Sequence, residues 1–197
     1  AIGNGGGVTI ADYKNGKVSG TYLYFGSLQS GCVYKQNLAS GQTWVDYCIP
    51  NLGSGNQNQS VYSLDTDSAG NVYAMFQGSV DAAGNTIILK IVPGGDGQSS
   101  DKIQSLQLPG YARSTGMAVN SDGSRIFANG VSVADYDKYQ TNTILDIVNP
   151  VWGPAGAPDK PAANKPVATT IPAASDPWLT GINLVDKKGN KGDLVYI

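Results

Sequence analysis

The chain has 197 residues, of which only 14% are charged, and a net charge of −2. It lacks the basic field that holds a phosphate backbone, which argues against a nucleic-acid partner. No run approaches the ~18–20 apolar residues that carry a helix across a bilayer, which argues against a membrane partner. There is no His and no Glu, and every acid is Asp. The commonest general base and metal ligand is therefore missing, and Ser-His-Asp catalysis cannot be built from this chain alone.

With Glu gone, and 26 Gly and 10 Pro present, the composition favours strands and turns over helices. In chain order, Leu23–Ser27 and Gly31–Leu38 read as strands. Cys32 and Cys48 flank the turn signal Ala39-Ser40-Gly41-Gln42. A hairpin over 32–49 sets the two sulfurs opposite each other, so we expect a disulfide and an oxidising, extracellular compartment, with two unpaired buried thiols as the alternative. Asn58-Gln59-Ser60 is a glycosylation sequon in a polar loop, which makes Asn58 a glycosylation candidate.

Val61–Ala74 and Gly116–Ala128 share one pattern: an apolar strand, an Asp/Asn/Ser-Gly turn, and a second strand with an aromatic. Ile182–Asn190 with Leu194–Ile197 repeats the form. Thr86–Pro93 resembles Thr143–Pro150, and Thr43–Pro50 resembles Lys102–Pro109. Four short hairpin-linked strands per unit predict an all-β fold of β-propeller blades, each of four antiparallel strands, with about three and a half blades in this chain.

The predicted units cover 8–50, 61–109, 115–171 and 180–197, forming one propeller domain or part of one. The last stops after two strands. Since native folds avoid an unpaired edge, we expect the remainder of a longer propeller or a second chain to complete it. Within the third unit, 151–177 is rich in Pro and reads as an extended surface excursion: a partner-binding arm, an O-glycosylated stretch or a long loop.

Leu23-Tyr24-Phe25-Gly26-Ser27, Gly31–Leu38 and Thr115-Gly116-Met117-Ala118-Val119-Asn120-Ser121-Asp122-Gly123 resemble blades of the gluconolactonase/regucalcin-like six-bladed propellers. NHL and Yellow-type propellers share much of the pattern. The resemblance implies a divalent cation, usually calcium, held on the propeller axis by Glu, Asn and Asp in the members that act as lactonases. The sequence departs from this: Glu is absent, Thr115 stands where a metal-binding Asn is implied, and Ala128-Asn129-Gly130 stands where an Asp-Ser pair is implied.

No metal ligand set and no catalytic residue can therefore be named, and we expect no cofactor, calcium being the one ion the resemblance brings in. Asp65–Asn71 imitates a calcium loop but carries Ala69 at its fifth position and Phe76 at its twelfth, so it reads as a turn. Tyr22, Tyr24, Tyr34, Tyr47, Tyr62 and Tyr73 fall on predicted strands and read mainly as packing, though an exposed subset is able to stack on sugar rings.

The loops 51–60, 77–85, 110–114 and 130–142 are expected to form the ligand face. Tyr111, Arg113 and Thr115 are its candidate contacts, Arg113 because Arg occurs only there and at 125. The function expected is a secreted, non-catalytic binding or structural module with a carbohydrate or small-molecule ligand. The alternatives are a metal-dependent, lactonase-like hydrolase whose site is completed by residues outside this chain, and an extracellular assembly subunit completed by a neighbouring chain.

Overall fold

A computed structural model of the chain describes residues 5–15, 18–28, 30–48, 60–77, 85–98, 100–112, 114–133, 143–170, 182–185 and 194–196. The first sheet runs β1 (Gly5–Asn15), β2 (Val18–Ser27), β3 (Cys32–Asn37) and β4 (Thr43–Cys48), each antiparallel to the last. The second repeats that order with β5 (Val61–Thr66), β6 (Val72–Phe76), β7 (Thr86–Val92) and β8 (Lys102–Leu108).

The third begins with a short strand, β9 (Tyr111–Ala112), which pairs with one end of β11 (Arg125–Ser132). Its main path is β10 (Met117–Val119), β11 and β12 (Thr143–Val148). The Pro-rich excursion does more than cross the surface. It adds β13 (Ala162–Ala163) in parallel to β8, then supplies β14 (Val167–Thr170) as the outer strand beside β12. Pro161 and Pro166 each precede a short strand at a sheet edge, the position where a missing N–H is tolerated. A last hairpin joins β15 (Asn183–Val185) to β16 (Leu194–Tyr196).

The alternation of side chains shows how the sheets stack. On β6, Val72, Ala74 and Phe76 enter one core together with Ala11, Tyr24 and Val33 of the first sheet. Tyr73 and Met75, on the opposite face, enter a second core with Met117, Val119, Ile126 and Leu145 of the third. The third sheet divides in the same way: Ala128 faces back, while Phe127 packs with Ile144 and Ile182 towards the final hairpin. The second sheet is thus sandwiched face to face between the first and the third, and because alternate residues of a strand point to opposite faces, β6 is apolar and buried at every position.

The first strands form an inner row, with β1 beside β5, β5 beside β10 and β10 beside β15. Hairpin-linked four-stranded sheets stacked around such a row are β-propeller blades. Close approach of the first sheet to β5 requires glycine at two points, Gly7 on β1 and Gly26 on β2. A Cβ on Gly26 would lie 2.3 Å from a Val61 side-chain carbon, and one on Gly7 would lie 2.5 Å from the Leu64 backbone nitrogen.

Candidate functional site

At one end of the blades, a hydrogen-bonded belt crosses from sheet to sheet. Ser60 Oγ donates to the Leu28 carbonyl, Gln77 N–H to the Ser60 carbonyl, and Ser114 N–H to the Gln77 carbonyl. Buried Thr86 and Ser114 share a hydrogen bond between hydroxyls at 2.7 Å. Ser60, Gln77 and Ser114 are described ends of the segments expected to form a ligand face, and the belt fixes them; 51–59, 78–84, 113 and 134–142 lie outside the described residues.

Just beyond the belt, Asn129 Oδ1 accepts from the N–H groups of Thr115 and Gly116 at 2.7 and 2.8 Å, while its Nδ2 donates to Thr115 Oγ1 at 2.9 Å. Asn129 is fully buried. The two side chains at the positions where the family resemblance implies metal ligands are therefore turned on each other and on the backbone. Their arrangement does not fit that ion. Among the described residues, no three His, Cys, Asp or Glu side chains gather closely enough to hold a metal.

The calcium-like loop is likewise occupied by its own turn. Asp67 Oδ1 accepts from Ala69 N–H and Asn71 N–H, and its Oδ2 accepts from Asn71 Nδ2 and Tyr73 Oη. Phe76, at the twelfth position, is core.

Tyr111 is the sequence candidate that meets an open space. It lies on β9 rather than in a loop, half-buried against the second core. With Pro109, Ala163, Asn164, Lys165 and Pro166 it lines a cleft of about 450 Å³. One wall follows the end of β8, and the other is the strap joining β13 to β14, so the cleft lies at the outer rim of blades two and three. Asn164 holds the strap in place. Its Oδ1 accepts from Val151 N–H at 2.8 Å, and its Nδ2 donates to the carbonyls of Val151 and Ala162. With that amide engaged, Tyr111 and Lys165 supply the cleft's remaining polar side chains. Thr115 does not line it, and Arg113 and Asn58 lie outside the described residues.

Sequence reasoning missed a charged cluster between blades one and two. Lys35 on β3 is wholly buried, with Nζ 2.7 Å from Asp101 Oδ1 and 3.8 Å from Asp46 Oδ1. Lys35 also donates to Ser100 Oγ. Asp101 Oδ1 further accepts from Gly94 N–H at 2.9 Å, and its Oδ2 accepts from Tyr24 Oη at 2.6 Å. Burial, reinforced by the facing Asp101 charge and only partly offset by Lys35, pushes the Asp46 carboxyl up to about 7. The available signal was phase: Lys35 shares the inward face of β3 with Val33, where an unpaired ammonium would be prohibitive.

The Cys32–Cys48 disulfide joins directly opposed residues of β3 and β4. Tyr22, Tyr24 and Tyr73 are core residues, while Tyr34, Tyr47 and Tyr62 are half-buried. Arg125 pairs through two nitrogens with Asp146 on the neighbouring strand, a surface contact within blade three.

No family model matches the sequence, and no curated protein matches it. Among solved structures, the chain is similar to a gluconolactonase from Xanthomonas campestris described as important in glucose secondary metabolic pathways. The identity is 13% and the TM-score 0.48, over 85% of this chain and 50% of that one. The chain thus spans half the length of that protein.

Proposed function

We propose that this chain is a non-catalytic binding module of an extracellular propeller, and that it takes a carbohydrate in the cleft beside Tyr111. The observation that carries the reading is the pairing, in one cleft of about 450 Å³, of a half-buried tyrosine and a lysine against two prolines. A tyrosine ring offers an apolar face for the C–H side of a sugar and a hydroxyl for its polar edge. The lysine adds an ammonium that favours an acidic sugar over a neutral one. The disulfide supports the extracellular setting, since such bonds persist where the surroundings oxidise.

The test is saturation-transfer NMR with neutral and uronic-acid oligosaccharides, on the native chain and on Tyr111→Ala. Binding is expected to favour the uronic acids, to vanish in the variant, and to be unchanged by a calcium chelator. Calcium-dependent hydrolysis of a sugar lactone by the purified chain would overturn the reading in favour of a lactonase-like hydrolase.

A second reading concerns completion of the ring. On the face of blade one away from blade two, Val8 and Ile10 are 59% and 56% exposed, beside a stacked Phe25–Tyr34 pair. We propose that this face packs against a further blade contributed by the rest of a longer propeller. The intact mass and sedimentation of the protein isolated from its source test this. A longer chain agrees with it, a multimer of the 197-residue chain points instead to a partner subunit, and a lone 197-residue monomer overturns both.

A further inference from the structure

We propose that Lys35 and Asp101 condense spontaneously into an isopeptide bond, Nζ to Cγ, that ties blade one covalently to blade two, with Asp46 carrying the protons. Nothing in the carbohydrate reading requires this bond, and the two stand or fall separately.

Three observations meet at this place. The two reacting side chains are already ion-paired, with Nζ 2.7 Å from Asp101 Oδ1, the oxygen bonded to the electrophilic Cγ, and both side chains wholly buried. Lys35 is held on β3 of blade one and Asp101 at the residue before β8 of blade two, so the reaction needs little search. Once such a pair swings into an aligned near-attack geometry, effective concentrations reach roughly 10⁵–10⁸ M. Second, the electrophile is polarised. Tyr24 Oη donates to Asp101 Oδ2 at 2.6 Å, at the oxygen on which negative charge collects when nitrogen attacks Cγ. Third, Asp46 stands 3.8 Å from Nζ with a wholly buried side chain, and neither of its oxygens has a hydrogen-bond partner. Burial and the Asp101 charge raise a carboxyl so placed to about 7, so that its neutral acid form is populated as a proton donor at neutral pH.

The steps balance. In the dry interface Lys35 passes one proton to Asp101 Oδ1, giving a neutral amine and a neutral acid. Nζ attacks Cγ, the new C–N bond forms, and the C–Oδ2 double bond opens onto the oxygen held by Tyr24. Asp46 gives its proton to the Oδ1 hydroxyl, the C–Oδ1 bond breaks, and one water leaves. Asp46 then takes a proton from Nζ and returns to its starting state. No oxidant, metal or nucleotide is consumed. The product replaces a buried ammonium and carboxylate, both costly to keep in a dry interior, with a neutral amide.

The experiment is an intact mass of the full chain after reduction and denaturation, followed by proteolytic mapping. The expected mass is that of the sequence less one water, with a branched peptide joining the segment around Lys35 to that around Asp101. Asp46→Asn keeps the shape of the side chain but removes its acid. It should fold with the same circular dichroism and disulfide, and show the full sequence mass. An unmodified wild-type mass, with Lys35 open to an amine-reactive label after denaturation, overturns the proposal. So does a water loss that maps to a succinimide at Asp96-Gly97 or Asp122-Gly123. A bond that still forms in Asp46→Asn overturns the role given to Asp46.

Discussion

Tyr24 of blade one donates its Oη proton to Asp101 Oδ2 of blade two at 2.6 Å, and both residues are buried in the interface between the sheets. Burial first, and then the Asp101 charge, hold the Tyr24 phenol far above its ordinary range, so it stays a donor at any working pH. Tyr24→Phe leaves the acceptor buried and short of a partner, and should destabilise the chain by about 1–3 kcal/mol in urea unfolding. Tyr22 makes a similar bond to Asp96 at 2.7 Å, but that carboxylate faces water. Tyr22→Phe should shift the urea midpoint less, and equal shifts would contradict this account of the interface.

Asp46 gives the stability of the chain a direction with pH. Burial is the largest cause of its rise to about 7, and burial acts on it whether or not the neighbouring lysine has condensed. The folded chain therefore retains a proton that the unfolded chain releases near the ordinary carboxylate value. The stabilisation is complete below that value and is lost as pH rises through about 7. Stability should fall between about pH 4 and pH 7, by an amount on the order of a few kcal/mol, and then level off, with the melting temperature following the same course. Asp46→Asn should flatten the profile, and a slope that survives in the variant assigns the titration elsewhere.

Gly26 and Gly41 separate two reasons for glycine. Gly26 lies on β2 where the first sheet meets β5, and an added methyl would drive into Val61. Gly41 has φ +72 with open space around it, so its need is conformational alone. Gly26→Ala should cost about 1–3 kcal/mol through overpacking, and Gly41→Ala about 1 kcal/mol through backbone strain. Calorimetry that ranks them the other way would show that blades one and two are not in contact at Val61.

Local chemistry made much of the fold legible, and long-range geometry hid the rest. The glycines at 70 and 123 announced hairpins because both take positive φ in tight turns, +82 and +72. The Cys32–Cys48 pairing followed from one hairpin register. In the Pro-rich segment, by contrast, the pairing of Ala162–Ala163 and Val167–Thr170 is decided by the edges of β8 and β12, which that segment's own residues do not specify. The same holds for the cleft. Tyr111 could be singled out, but Lys165 and Pro166 reach it only because Asn164 pins the strap to Val151. Lys35 was readable as an inward charge, while its partner Asp101 sits in a different blade.

The disulfide stabilises a particular place. Cys48 ends β4, the outer strand of blade one, which is hydrogen-bonded along one side to β3 and has no strand beyond it among the described residues. An outer strand held by one ladder is the first part of such a sheet to open, and the cross-link closes a loop of 16 residues across it. On the chain-entropy model, removing it costs ~3 kcal/mol. The Cys32→Ser/Cys48→Ser double variant should show that loss in urea unfolding. Hydrogen exchange should quicken first over 43–48, while Val72–Phe76, buried between two cores, keeps its protection. If both segments lose protection together, the blades open as one cooperative unit and the disulfide acts on the whole stack rather than on its outer strand.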